Sequence, residues 1–391
     1  MMYTKIAGKW VEVETPSTKV SGHWKESDEQ YIKINGHWVL SEKPVPPAPK
    51  RFKATATSAV KPTAKSVTGG TLTYTDNADG TWTIESADTI TEVNWGGNTN
   101  ITTFEVISAL DLTSINKAWE RCGSLISFNT SGLTSVTIAD NAWDICKSLI
   151  SFNASGLTSL ISANNAWSNC PALSSFDTSA MTSLTSAKMS WFNCTGLTSF
   201  DTSGMTSVTN IQQSWYKCAS LTSFGTSDLT SATSADSAWQ GCSALTSFDA
   251  SGLTSVISAN SAWQACSGLT SFDTSGLTAL VGAVYGWAHC NGLISFDTKG
   301  LTSLTVASAT WDKCASLTSF DATGLSSAVN LSRAWAGCPE LLCISSFVAP
   351  NVTNTSYMFA SSNKLVHPNK AEQTSHFTTT GIDWTNPVAC P

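Results

Sequence analysis

Tryptophan recurs every 24 residues from Trp119 to Trp335, ten times without a slip. A cysteine follows three residues after each one, from Cys122 to Cys338, and a leucine three residues after that, from Leu125 to Leu341. Phenylalanine keeps the same step from Phe128 to Phe320, with Phe104 ahead of the first tryptophan. Strict self-similarity at a period of 20 to 50 residues marks a solenoid, in which each repeat buries its apolar row only against its neighbours. This register therefore limits the fold before composition is considered.

Within one unit the apolar residues fall about three apart: Leu133, Val136, Ala139 and Ala142 precede Trp143, and Leu253, Val256, Ala259 and Ala262 precede Trp263. Neither the 3.6-residue helical period nor the two-residue strand period fits the whole unit. Short extended pieces joined by tight turns do fit, with one row of side chains pointing inward. Between the columns stand Ser, Thr, Gly, Asn and Asp, as in Phe272-Asp273-Thr274-Ser275-Gly276-Leu277. An Asp or Asn after the Phe can accept a bond from the backbone N–H two residues on. The glycines at 132, 156, 204, 252, 276, 300 and 324 are expected to supply positive φ at the turn. The acidic column of Asp177, Asp201, Asp249, Asp273, Asp297 and Asp321 reads as a turn ladder, with cation binding as the alternative.

A worn eleventh unit places Phe359, Ser362 and Leu365 in the Trp, Cys and Leu columns, as expected of a terminal repeat that caps an open end. The fold class is thus mainly β: a leucine-rich-repeat-like solenoid of eleven 24-residue coils with a small N-terminal β domain. At about 4.8 Å per coil the rod is roughly 50 Å long.

The unit resembles the BspA-like leucine-rich repeat of bacterial surface proteins. The likeness is best at Asn351-Val352-Thr353-Asn354-Thr355-Ser356-Tyr357-Met358-Phe359 and in the C-x-x-L columns, and it spans about residues 101–365. It departs in placing Trp where that family commonly has Phe, and in its regular Phe column. The resemblance implies a right-handed solenoid engaged in adhesion or protein binding, with no catalytic residues to carry over.

Twelve cysteines invite a disulfide framework. Ten of them, however, form one inward column among apolar neighbours, where a free thiol packs as a small hydrophobe. A reduced ladder is expected. Cys343 and Cys390 lie off the column, and a clasp between them on the C-terminal cap is an open alternative. No C-x-x-C pair is present, which argues against zinc.

The N-terminal part carries a second repeat, of 14 residues: KIAGKW at Lys5 to Trp10, KVSGHW at Lys19 to Trp24 and KINGHW at Lys33 to Trp38. Asn35-Gly36 is a tight-hairpin signal. Three β units with Trp10, Trp24 and Trp38 on one side are expected to form a small sheet. This pattern is similar to K-V/I-x-G-x-W segments of tailed-phage tail and fibre proteins, which implies a docking role for Trp10, Trp24, Trp38, Lys5, Lys19 and Lys33. The expected organisation is a β anchor over 1–43, a Pro/Lys-rich linker over 44–65, a β cap over 66–100, the solenoid over 101–365 and a C-terminal cap over 366–391. Alternation around Asp79-Gly80 predicts a hairpin in the first cap, and Ile90 to Trp95 a further strand.

Charge is divided in the same way. Residues 1–65 hold eleven Lys and Arg against six Asp and Glu, whereas the rest of the 391-residue chain is acidic and the total is −7. An acidic body disfavours nucleic acid as a partner. No apolar run reaches the eighteen residues of a membrane span. The start, MMYTKIAGKW, lacks the apolar core of a secretory signal. The five histidines are scattered, and no nucleophile-elbow, zinc-protease or phosphate-loop motif occurs. No cofactor is expected. Candidate binding positions are the variable slots after the tryptophans: Glu120, Arg121, Asp144, Tyr216, Lys217, His289, Asp312 and Lys313.

These readings favour a non-enzymatic tailed-phage virion protein. It would dock to other virion proteins through residues 1–43 and display the solenoid toward a host-surface glycan or protein, or decorate the particle. A bacterial cell-surface adhesin is the alternative, and a polysaccharide-degrading enzyme the third reading.

Overall fold

The computed structural model describes residues 50–365 throughout, and outside them the backbone strands between Met2 and Ser41 and at Ile382–Asp383. Two compact units divide between Pro49 and Lys50. The first contains three antiparallel hairpins: β1 (Met2–Ile6) with β2 (Lys9–Val13), β3 (Ser17–Val20) with β4 (His23–Glu26), and β5 (Gln30–Ile34) with β6 (His37–Ser41). Each 14-residue repeat is one hairpin, and its register sets Lys5 opposite Trp10, Lys19 opposite Trp24 and Lys33 opposite Trp38. The single small sheet expected here is instead three separate two-stranded ones.

The second unit begins with a correction. The linker expected to extend to residue 65 contains β7 (Phe52–Ser58), which lies inside a six-stranded sheet. Phe52, Ala54 and Ala56 alternate inward with Lys53, Thr55 and Thr57 half-exposed, the two-residue period of a half-buried strand. β10 (Thr81–Ser86) pairs antiparallel with both β7 and β9 (Thr73–Asp76), as the Asp79-Gly80 hairpin requires. β11 (Glu92–Asn94) pairs with β8 (Ser66–Thr68).

The change from cap to solenoid is made by β12 (Ile101–Ala109). One edge is antiparallel to β7, with Phe104 opposite Ala56; the other is parallel to Ser127–Asn129, with Phe104 opposite Phe128. Arg51 clasps Asp111 with two guanidinium N–H groups, tying the start of β7 to the turn after β12. That hydrogen bond holds the Asp111 carboxyl below its ordinary range.

From there the coils stack in parallel, with bridges from Ser114↔Ile138 to Asn330↔Asn354 in steps of 24 residues. Short Ser-Phe-Asp or Ser-Phe-Asn strands recur on one side, and apart from one short 3-10 turn at Thr323–Ser327 the described chain has no helix. The columns read in the sequence are the core. Trp215 is fully buried and stacks on Trp191 at 5.5 Å and on Trp239 at 5.7 Å, with planes within 6°. Phe200 and Phe224 meet it edge-on at 5.0 and 4.7 Å, the offset and T-shaped geometries that ring quadrupoles favour.

Trp95, one period ahead of Trp119, begins this stack at 5.5 Å, and Phe359 ends it on Trp335, also at 5.5 Å. Trp95 Nε1 donates to Pro62 O at 2.8 Å. The Nε1 of each of the ten tryptophans from Trp119 to Trp335 is buried with no hydrogen-bond partner.

The expected Asx turns form. Asn129, Asn153, Asp177, Asp201, Asp249, Asp273, Asp297 and Asp321 each accept from the backbone N–H two residues on, at 2.8 to 3.1 Å. The glycines act differently from expectation. Of the seven, only Gly204 has positive φ, at 83°. The others are needed because the preceding coil touches them: a Cβ at Gly276 would lie 2.0 Å from Ala250 O, and one at Gly300 would lie 1.7 Å from Thr274 O. Where Ala180 fills this column, residues 175–177 lose their strand. Positive φ is found elsewhere, at two positions per coil, as at Gln213 and Lys217.

The ten column cysteines are free and buried. Each thiol donates to the carbonyl of the preceding coil's tryptophan, as Cys242 does to Trp215 at 3.1 Å. Ser362 keeps that bond, to Trp335 at 2.6 Å, which explains how serine ends the column. Cys343 is disulfide-bonded. Cys390, the other cysteine outside the column, lies outside the described residues. So does the C-terminal cap expected over 366–391, except for Ile382–Asp383 paired with Val348–Ala349.

Candidate recognition surface

Two columns follow the tryptophans along one corner of the solenoid. The residue directly after Trp packs sideways and is half-buried or buried. The next residue has positive φ: 61° at Arg121, 58° at Lys217, 61° at His289 and 58° at Lys313. Its N–H is bound to the following coil, Lys217 to Gln240 O and Lys313 to Ala336 O, both at 2.7 Å. Left-handed backbone favours Asn and Gly, and Asn169, Asn193, Gly241 and Gly337 take this place in other coils. The variation in this column is thus bounded by backbone conformation.

The candidate residues fall into separate groups. Glu120 and Arg121 are paired at 3.3 Å at the N-terminal end. Desolvation raises the Asp144 carboxyl above its ordinary value, with the nearby Glu120 charge adding to the effect against hydrogen bonds from Asn169 and Ser168. Lys217 Nζ lies 5.3 Å from the Tyr216 ring centre. His289 is half-buried and Lys313 exposed. Asp312 differs from its expected role. It is 4% exposed, 3.8 Å from Arg333, and offers the solvent almost nothing.

Sequence reasoning passed over the partners that make the middle of this row continuous. Phe192 stacks on Tyr216 with centroids 4.7 Å apart and planes within 5°. Asn193 donates to Asn169 at 3.1 Å, and Gln240 to Gln264 at 2.9 Å. These residues occupy the same columns as the candidates, so the 24-residue register would have found them.

A second surface lies on the strand side near the first coils. A shallow groove of about 480 Å³ is lined by Thr103, Glu105, Ser127, Asn129, Ser151 and Asn153. Its polar groups bond to one another, Asn129 to Glu105 at 2.9 Å and Asn153 to Asn129 at 3.2 Å. Among the described residues no group of three or more His, Cys, Asp or Glu is placed to hold a metal ion, and no helix is long and apolar enough to cross a membrane. The side chains of Lys5, Trp10, Lys19, Trp24, Lys33 and Trp38 lie outside the described residues.

The fold and its surface define a leucine-rich-repeat-like β-solenoid. Residues 113–246 match the BspA type Leucine rich repeat region in six copies. Among solved structures, a leucine-rich repeat protein from Bacteroides ovatus ATCC 8483 is similar at 15% identity, covering 76% of this chain and 80% of that one, with a TM-score of 0.46. The functional domain of InlJ from Listeria monocytogenes, described as including a cysteine ladder, is similar at 17% identity over 72% of this chain and 68% of that one, with a TM-score of 0.20. No protein of curated function matches.

Proposed function

We propose that this is a non-enzymatic recognition protein of a tailed-phage particle, attached through residues 1–43 and displaying the solenoid. The observation that carries this reading is the contrast between a core repeated coil after coil and the changing row beside it, Glu120 to Lys313. A constant scaffold with one variable corner suits binding. An active site in a solenoid would break the repeat, and the columns run unbroken from Trp119 to Trp335. The three K-x-x-G-x-W hairpins, in a compact unit of their own that ends at Pro49, support a separate attachment unit.

Deleting residues 1–43 tests this. The truncated protein should remain soluble and folded by circular dichroism yet be missing from purified particles. Normal incorporation would overturn the attachment role. The BspA-type match over residues 113–246 favours a second reading, a bacterial surface adhesin, under which the full chain is found on cells with no particle present.

A further inference from the structure

We infer that the row from Asn169 to Gln264 binds a neutral, extended carbohydrate chain laid along the solenoid axis. This rests on the reading of the solenoid as a recognition surface and names the ligand class. Five consecutive coils, those of Trp167, Trp191, Trp215, Trp239 and Trp263, contribute to the row. At its centre Phe192 and Tyr216 stack on each other, so one face of each is covered and their edges form an apolar step. Both rings are half-exposed. Among the described residues Tyr216 Oη has no hydrogen-bond partner, which leaves a donor and acceptor at the rim of that step.

Amides flank the step on both sides, and each is held in place by its neighbour. Asn169 donates to Ser168 at 2.8 Å and accepts from Asn193, while Gln240 donates to Gln264. These bonds leave Asn193 Oδ1, Gln240 Oε1 and the Gln264 Nε2 donor without partners among the described residues. Fixed amides with spare acceptors and donors beside an apolar step match a sugar, which has hydroxyls at its edge and C–H groups on its face. Pre-orientation lowers the cost of ordering them on binding.

Two other ligand classes fit less well. The five coils hold only Lys217 as a charged side chain in these two columns, so a polyanion finds no basic track. An extended peptide adding as a strand needs free backbone groups. Here the N–H groups of Asn193 and Lys217 are already bound to Tyr216 O and Gln240 O of the next coils. Recognition must then run through side chains. Coils stack at about 4.8 Å, close to the advance of one sugar in an extended pyranose chain, so successive sugars would meet successive coils.

The full-length protein should be tested against linear neutral glucans, mannans and galactans of two to eight units, with intact bacterial cells in parallel. Binding is expected to strengthen with length until the five coils are covered. Tyr216→Ala and Gln240→Ala should each weaken it about tenfold or more, whereas Thr206→Ala on an exposed turn should not. The fold accepts alanine here, since Ala288, Ala336 and Ala360 occupy the Tyr216 column. Gln264→Glu, of unchanged shape, provides a second variant with the same expected loss. Two results would overturn the inference: glycan binding indifferent to all three row variants, or cell binding that resists periodate and is abolished by protease, which would make the ligand a protein while leaving surface recognition intact. Binding to neither glycans nor cells would remove the recognition reading and this inference with it.

Discussion

The thiol of Cys218 donates a hydrogen bond to the backbone carbonyl of Trp191 at 3.2 Å, across the seam between two coils. Repeated from Cys122 to Cys338, this contact gives each of the ten column thiols an acceptor, and all ten are free. Burial pushes the thiols up from 9.0, to about 11 for Cys122 and to about 12 for Cys194, Cys266 and Cys338.

Alkaline instability follows. In the unfolded chain the thiols ionise above pH 9, while in the folded chain they stay protonated, so the unfolded state binds fewer protons and stability falls as pH rises. Each thiol contributes a slope of up to about 1.4 kcal/mol per pH unit. Melting temperatures between pH 7.5 and 10.5 should drop steeply, and less steeply after Cys218→Ser and Cys242→Ser, which keep the bond as Ser362 does. Equal slopes in parent and variant would show that the thiols are not responsible.

Thiol counting provides an independent check. Denatured without reductant, the protein should expose the ten column thiols. Reduction before denaturation should add those released from the Cys343 disulfide. Five or more disulfides in the unreduced protein would contradict the inert ladder.

Trp215→Ala removes an indole from the middle of the stack and should cost about 3–5 kcal/mol. Trp215→Phe should cost much less. It deletes a donor that has no partner, and Phe359 already occupies the column at one end. Trp95→Phe should be the more damaging of the two Phe variants for its size, because it breaks the bond to Pro62. Denaturant unfolding of the three variants measures this order, and a Trp215→Phe loss as large as that of Trp215→Ala would refute it.

Gly276→Ala should destabilise by about 1–3 kcal/mol, the usual cost of forcing a methyl group into a packed site. The contact is a carbonyl at 2.0 Å and not a strained φ, so the loss should grow with side-chain bulk from Gly276→Ala to Gly276→Val. Thermal unfolding measures this order, and a Gly276→Ala protein as stable as the parent would refute the contact.

Much of this architecture was legible because a solenoid turns each inward position into a column, and columns of Trp, Cys and Leu are plain in the sequence. The Asx turns were legible too, since Asp and Asn bond locally. Phe52–Ser58 was not, because its inward residues after Phe52 are Ala54 and Ala56, too small to stand out as an apolar face. Trp95 is in register, but Asn98 stands where the cysteine would be, so the Trp-Cys pattern begins only at Trp119. The role of the glycine column is not legible locally, since contact with another coil leaves no trace in local sequence. Asp312 looked like a surface charge, and only packing between Ala288 and Ala336 reveals its burial. The Phe192 and Tyr216 pair is legible from the register alone, 24 residues apart in the column after the tryptophans, whereas the parallel stacking of the two rings is visible only in the folded coil.

The bridges from Ser114 to Asn354 all join positions 24 residues apart. A gene that loses or duplicates one such block by unequal recombination restores every seam, since the new neighbours present the same columns as the old. Length can therefore be inherited in whole steps of about 4.8 Å, with no intermediate that exposes a mismatched core. Descendants of one sequence could differ in coil number while sharing the same caps, so reach becomes a trait that changes without any point mutation.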